Sequence, residues 1–238
     1  MKKIFVLLLV TNLFACQNQV VNLEQEKFNQ INNTYINSNN EIDAYYPTNS
    51  GRVWKYSLEQ FQNDVPSTKF SKMEISVISN SKKSDHSESI LNRYYPESNV
   101  QPYKTLVKKF SDRIELSRYV QKEVFKEFSK AGNDYITVLM SPLEINKSWE
   151  GRLFQGGKES IKVIGFENIE VPAGKFKALK MNHHLKYDNG KEDNLYYWYT
   201  KDIGMIKMYE EITLVYSSGE SVKFKSIGSL TEFSKLNK

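Results

Sequence analysis

Apolar and polar residues alternate with a period of two in short runs from about residue 41 onward. Strands with one buried face produce this alternation, because successive side chains point to opposite faces of a sheet. The runs are rich in β-branched and aromatic residues, which are typical of strands. They lie around residues 73–77, 114–119, 135–140, 161–165, 196–199, 212–216 and 222–226. Residues 23–31 and 119–131 are the candidates for short helices.

Turn-forming pairs separate these runs: Asn63-Asp64, Ser79-Asn80, Gly132-Asn133, Gly156-Gly157, Asn189-Gly190 and Ser218-Gly219. The strongest is Asn189-Gly190, which predicts a type I′ hairpin turn, because both central residues of that turn need positive φ. The predicted fold is therefore all-β, with at most one or two short helices. A single antiparallel sheet of roughly ten strands would curl into a partly closed barrel, a half-barrel or a sandwich.

Two segments share the order proline, turn-tolerant residue, tryptophan at identical spacing: Pro47, Gly51 and Trp54, then Pro142, Asn146 and Trp149. Each predicts a turn with positive φ that leads into a strand with a buried tryptophan. We expect both tryptophans to be core anchors rather than ligand contacts. Two pairs follow in the same order, Lys69-Phe70 with Lys175-Phe176 and Tyr94-Tyr95 with Tyr196-Tyr197. Two related β-meanders would produce this order, and so would chance in a chain rich in Lys, Phe and Tyr.

Four motifs occur in a familiar order: Tyr46-Pro47 through Gly51 and Trp54, Pro142-Leu143 through Trp149, Val171-Pro172-Ala173-Gly174-Lys175-Phe176, and Asp202-Ile203-Gly204-Met205-Ile206-Lys207. Together they resemble a widespread group of uncharacterised bacterial lipoproteins and secreted β-rich envelope proteins. The resemblance covers about residues 45–230 and departs at Thr48 and Asn146, where leucine and glycine are commoner. It implies an antiparallel β domain in the envelope, and it implies no activity and no catalytic residue.

The N-terminus has the form of a secretory signal. Lys2 and Lys3 precede an apolar core at residues 4–15, which is shorter than the roughly 20 residues of a membrane-spanning helix. The segment 13–16, Leu-Phe-Ala-Cys, resembles the lipobox of bacterial lipoproteins, although Phe14 is larger than the usual residue. The resemblance implies a signal peptide at residues 1–15 and a lipid, such as palmitate, on Cys16.

Cys16 is the only cysteine of the chain, so no disulfide can form within it. An attached lipid explains a lone cysteine at this position, and the alternative is a secreted protein with an incidental thiol. Residues 17–40 contain 12 Asn or Gln residues. We therefore expect a lipidated cysteine with a polar tether at residues 16–42 and a β-rich domain at residues 43–238.

The charge of the chain bears on its partners and its location. The formal net charge is +5, falls to +3 without Lys2 and Lys3, and is not concentrated in a basic block. This pattern predicts no nucleic-acid partner. The expected partners are a membrane, through lipid on Cys16, and an envelope protein or apolar ligand. The expected location is the outer membrane or periplasmic face of a double-membraned cell, or otherwise the outer face of the plasma membrane.

No catalytic or metal-binding pattern emerges from the sequence, and the expectation is a protein without cofactor, metal or enzymatic activity. His183 and His184 are adjacent, so on a strand they point to opposite faces and cannot jointly bind one metal. Lys158 follows Gly156-Gly157 with the wrong spacing for a phosphate loop, and no serine lies in a G-x-S-x-G motif. Glu210-Glu211 are predicted to be a solvated charge pair on opposite strand faces.

An unusual density of aromatic residues remains: Tyr45, Tyr46, Tyr94, Tyr95, Tyr103, Tyr196, Tyr197, Trp198 and Tyr199. They indicate either a stacking or lipid-lined cleft or cross-strand packing in a sheet. The predicted function is a membrane-anchored envelope lipoprotein that acts as a non-catalytic binding module for an apolar or glycan ligand. The alternative is an envelope interaction or assembly factor without a small-molecule ligand. A cavity favours the first, and a filled interior with a flat apolar patch favours the second.

Overall fold

The computed structural model describes residues 41–67, 70–99, 101–117, 135–152, 157–215 and 220–235. The predicted signal peptide, Cys16, the tether up to residue 40 and the candidate helices at 23–31 and 119–131 lie outside the described residues. So do the predicted turns at Gly132-Asn133 and Ser218-Gly219.

Within the described residues, one short helix precedes thirteen strands. They are α1 (Glu41–Tyr45), β1 (Arg52–Gln62), β2 (Val65–Ser67), β3 (Lys72–Lys82), β4 (Ser87–Tyr94), β5 (Tyr103–Lys109), β6 (Arg113–Ser117), β7 (Tyr135–Met140), β8 (Ser148–Arg152), β9 (Lys158–Val171), β10 (Gly174–Lys186), β11 (Glu192–Thr200), β12 (Gly204–Val215) and β13 (Ser221–Lys235). Within the described ranges, no helix is long and apolar enough to cross a bilayer.

All strands belong to one antiparallel sheet in the order β7-β6-β5-β4-β3-β1-β13-β12-β11-β10-β9-β8, with β2 paired to the end of β1. The sheet curls into a nearly closed barrel with one seam, between β7 and β8. The predicted all-β, curled antiparallel fold is thus confirmed, in its barrel form. β1 to β7 form one meander and β8 to β13 form a second, and the two join where β1 pairs with β13.

The two turn-and-tryptophan segments occupy equivalent places in the two meanders. Gly51 has φ 82° and Asn146 has φ 70°, and each precedes the first strand of its meander. Trp54 and Trp149 are both buried, as predicted. The later motif pairs do not match in the same way, because Phe70 precedes β3 whereas Phe176 lies within β10. The repeated order of motifs in the sequence therefore corresponds to equivalent strands only at the start of each meander.

Two of the predicted turns are wrong in detail. At Asn189-Gly190, only Gly190 has positive φ, at 80°, and its N–H donates to Tyr187 O over 2.9 Å. This is a three-residue loop that ends in a left-handed glycine, not a type I′ turn. The two positive φ values of a type I′ turn occur instead at Asn63-Asp64, between β1 and β2.

The predicted turn at Ser79-Asn80 is wrong because both residues lie within β3. A bulge between Val77 and Ser79 shifts the register with β4 at this point. The Asn80 side chain donates to Thr48 O over 2.9 Å and accepts from the Ser89 hydroxyl over 2.6 Å. These bonds satisfy polar groups that would otherwise favour a turn.

Helix α1 crosses one end of the barrel. Ile42 is fully buried, so the packed domain includes this residue. Ala44 O accepts from the backbone N–H of Asp202 over 2.6 Å in the β11–β12 turn, and Asp43 pairs with Lys109 at the end of β5 over 2.9 Å. Because these partners come from strands that are far apart in the sheet, the helix bridges the barrel end from which β1 starts.

Candidate functional site

The barrel encloses a cavity of about 610 Å³, within the range of about 300–1,000 Å³ that is usual for ligand pockets. Strands of both meanders form its wall. The wall is largely apolar, since the inward positions of alternating strands carry Ile75, Leu91, Leu116, Ile136, Val138, Leu185, Leu195, Met205, Met208 and Ile212. The predicted alternation of apolar residues thus faces a space rather than a completely filled core.

Aromatic residues line the cavity beside α1. Trp54 donates its indole N–H to Ile203 O over 2.6 Å, and Tyr56 donates its hydroxyl to Met205 O over 2.8 Å. Trp54 is therefore buried as predicted, but it also lines the cavity, which the prediction of a pure core anchor did not include. The Tyr46 and Tyr199 rings pack with their centroids 6.1 Å apart.

Gly204 allows the chain after α1 to approach this aromatic group. It has φ 99°, which disfavours residues with a Cβ atom. A Cβ atom here would lie 3.4 Å from Pro47 Cδ, an ordinary contact distance, so the backbone conformation rather than space is what favours glycine. Gly204, the glycine of the motif from Asp202 to Lys207, thus has a local structural reason.

Arg93 on β4 brings a permanent positive charge into the cavity wall. Burial lowers the pKa of its guanidinium, but nearby groups outweigh burial, and the net pKa is raised. Those groups are Tyr95, Glu210, Tyr197 and Tyr46. Within the described residues, Arg113 forms ion pairs with Asp112 and Glu115, whereas Arg93 forms none.

Glu210 on β12 also lines the cavity and accepts a hydrogen bond of 2.8 Å from the Tyr197 hydroxyl. The prediction of a solvated charge pair at Glu210-Glu211 is therefore wrong for Glu210. It shares an inward face with Met208 and Ile212, whereas Glu211 pairs with Lys223 over 2.9 Å on the other face. Burial is the main cause of the raised pKa of Tyr197, which keeps its hydroxyl protonated as a donor.

His183 and Glu159 form a buried pair in the same wall, with 2.9 Å between His183 Nδ1 and Glu159 Oε1. The Tyr197 ring lies edge-on to the imidazole at 4.8 Å. With Glu159 ionised, Nδ1 carries the proton, because a carboxylate only accepts. His183 Nε2 is buried without a hydrogen-bond partner among the described residues. His184 points away and contacts Glu192, so the predicted opposite faces are correct.

The aromatic cluster divides between the two alternatives given by the sequence. Tyr46, Tyr197 and Tyr199 line the cavity. Tyr196 and Trp198 instead pack on the other face of β11, with ring centroids 6.2 Å apart. Both cleft lining and cross-strand packing therefore occur, on opposite faces of one strand.

Other predicted features lie away from the cavity. Gly157 of the predicted Gly156-Gly157 turn has φ 100° and directly precedes β9. Trp149 is buried but does not line the cavity. The described side chains contain no group of three or more His, Cys, Asp and Glu residues that could hold a metal ion.

Sequence reasoning missed Arg93 and Glu159 as cavity residues. A usable signal was present, because residues two positions apart share a strand face. Arg93 follows Leu91 at this spacing, and Glu159 precedes Ile161. A charged residue that continues an apolar face is a candidate for an inward-pointing charge.

The DUF3108-like family model matches residues 159–211, which extend from β9 into β12 and include Glu159, His183, Tyr197 and Glu210. A search among curated proteins gave no significant match. The match agrees with the predicted likeness to an uncharacterised group, and it does not test the individual motifs of that prediction.

Two solved structures are similar in fold. One is a candidate exported protein with a YmcC-like fold from Bacteroides fragilis, with 12% identity, a TM-score of 0.48, and coverage of 80% of this chain and 99% of its own. The other is a candidate lipoprotein from Parabacteroides distasonis, with 15% identity, a TM-score of 0.46, and coverage of 80% and 98%. Neither likeness bears on the ligand or activity of this chain.

Proposed function

We propose that this chain is a lipid-anchored bacterial envelope protein that binds an apolar ligand inside its barrel without transforming it. The anchor is the lipid predicted on Cys16. The observation that carries the binding role is the cavity of about 610 Å³, whose wall comes mainly from apolar side chains of both meanders. An apolar wall gains free energy when it covers apolar ligand surface, at about 25 cal/mol per Å² removed from water.

An apolar ligand fits this wall better than a glycan does. A glycan needs many hydrogen-bonding partners along its length, whereas the polar groups here are concentrated around Arg93, Tyr197 and Glu210. The unfilled interior also favours ligand binding over the alternative of an interaction factor, which predicts a filled interior.

Displacement of a neutral fluorescent probe, N-phenylnaphthylamine, from the mature protein tests this proposal. Ile136→Trp places a large ring in the cavity and should reduce probe and lipid binding at least tenfold. Thr137→Trp is the matched control, because Thr137 neighbours Ile136 in β7 but does not line the cavity. Thermal melting checks that both variants fold. Equal binding by the wild type and a folded Ile136→Trp variant would refute binding inside the barrel.

A further inference from the structure

The surroundings of Arg93 indicate what the polar end of the ligand is. Its guanidinium lies in a largely apolar wall and has no ion-pair partner among the described residues. A guanidinium carries five N–H donors in a planar fork that matches a carboxylate or a phosphate. A charge that is partly withdrawn from water and has no direct partner is costly, so an anion that enters the cavity would gain from meeting it.

Four tyrosines line the same cavity as this guanidinium. Each of these phenols lies close enough for the charge of Arg93 to lower its pKa, yet burial dominates and raises the pKa, to about 12 for Tyr46. The residues are Tyr46, Tyr56, Tyr197 and Tyr199. All four therefore stay neutral near pH 7 and can donate hydrogen bonds.

Two of these donors are already used within the protein. Tyr56 donates to Met205 O and Tyr197 donates to Glu210. Tyr46 and Tyr199 donate to no acceptor in the described part of the chain, and both line the cavity. A cation with two neighbouring hydroxyl donors, and without an ion pair to the nearby Glu210, has the composition of an anion site.

We infer that the ligand is an amphiphile whose anionic head group, a carboxylate or a phosphate, is bound by Arg93 with help from the Tyr46 and Tyr199 hydroxyls. Its acyl chain lies along the apolar wall of the same cavity. This inference rests on the proposed function and specifies the chemical class of ligand for the same site.

Glu210 limits the charge that the site accepts. Its carboxylate is close enough to raise the pKa of Arg93, but it forms no ion pair with the guanidinium. It therefore offsets part of the positive charge without occupying the donors of Arg93. A monoanionic carboxylate would meet less repulsion from Glu210 than a dianionic phosphate, so the two head groups should differ in affinity.

The test measures displacement of the neutral probe by three lipids with the same chain: palmitate, palmitoyl lysophosphatidate and monopalmitoylglycerol. We expect at least one of the two anionic lipids to bind about 10–100-fold more tightly than the neutral one, because hydrogen bonds to charged groups contribute more. Arg93→Met should abolish this preference and leave monopalmitoylglycerol within about threefold of the wild type. Arg113→Met is the matched control, since Arg113 forms ion pairs with Asp112 and Glu115 and does not line the cavity.

Tyr46→Phe provides a second variant should Arg93→Met fail to fold, and it should weaken anionic lipids alone by about 3–10-fold. The ratio of palmitate to lysophosphatidate affinity shows which head group the site prefers. Equal affinity for all three lipids, unchanged in the folded variants, would overturn the head-group assignment while leaving the proposed function intact. Failure of the probe and of every lipid to bind the wild type would overturn both.

Discussion

The two meanders of the barrel meet at two joints that differ in construction. At the first joint, β1 and β13 form a ladder from Arg52–Lys235 to Gln62–Phe224, with one register shift between Lys55 and Tyr56. At the second, β7 and β8 form no ladder among the described residues, and side chains bridge the seam. Trp149 donates its indole N–H to Thr137 O over 2.7 Å there.

The joints differ although the same local arrangement of turn and tryptophan occurs at both. β1 and β8 each begin after a residue with positive φ, and each carries a buried tryptophan that donates to a carbonyl. The strands differ in length: β1 and β13 have 11 and 15 residues, whereas β7 and β8 have 6 and 5. In both joints the positive-φ residue leads into the strand that carries the tryptophan, but only the longer pair, β1 and β13, is closed by a backbone ladder.

The largest expected effect comes from removing the tryptophans. Trp54→Ala and Trp149→Ala should each lower the free energy of unfolding by about 3–5 kcal/mol, because both side chains are buried and leave a cavity. Chemical denaturation of the soluble domain measures the loss. A midpoint close to that of the wild type, with unchanged slope, would show that the residue does not anchor its joint.

A smaller effect is expected from crowding the side chains at the joint between β1 and β13. A Cβ atom at Gly228 would lie 2.7 Å from the Met208 Cε atom and 3.3 Å from a Leu58 methyl group. Gly228→Ala should therefore cost about 1–3 kcal/mol through overpacking. Denaturation with Met208→Ala in the same chain is the control, because the smaller side chain should relieve the clash and make the two losses less than additive.

The next effect isolates the hydrogen bonds of the two indoles. Trp149→Phe and Trp54→Phe remove the N–H donor and should each cost about 1–2 kcal/mol, because a carbonyl loses its partner. Their local effects should differ. Amide exchange in β7 and β8 should accelerate with Trp149→Phe, whereas the β1–β13 ladder should stay protected with Trp54→Phe. Equal acceleration at both joints would contradict the distinction between ladder and seam.

The smallest effect is expected from an exposed ion pair between β1 and β13. Lys55 Nζ lies 2.9 Å from Glu232 Oε2, and both side chains are about half exposed. Solvent and salt screen such pairs, so Glu232→Gln should leave the denaturation midpoint unchanged within error. A clear shift that disappears at high salt would show that this surface pair contributes to sealing the joint.

Many of the strands and the two tryptophan turns could be predicted from the sequence because they depend on local patterns, whereas β2, β4, β5 and β10 lie outside the predicted runs. Period-two alternation marks a strand wherever it lies, and the positive φ of Gly51 and Asn146 follows from the residues themselves. The hairpin at Asn189-Gly190 was harder, because loop length decides which turn type joins two strands. The pairing register that sets this length is not visible in the turn residues.

The candidate site could be predicted only in part. The alternation places Glu210 on the face of Met208 and Ile212, but it does not say whether that face meets solvent, a packed core or a cavity. That outcome depends on the curl of the whole sheet. The curl of the sheet also brings Arg93 near Tyr46 and Tyr197, which come from distant parts of the chain.

The ladder between β1 and β13 has a consequence for how the barrel forms. It alone, among the ladders of the described sheet, joins strands from opposite ends of the domain. Closing so long a loop adds little free-energy cost, since that cost rises only with the logarithm of loop length, but non-local pairing slows folding. A circularly permuted chain, cut between β7 and β8 and joined from β13 to β1, would run along the sheet in strict sequence order. The pairing of β1 with β13, which is remote in the original chain, would then join consecutive strands. The permutant should therefore fold to the same barrel faster.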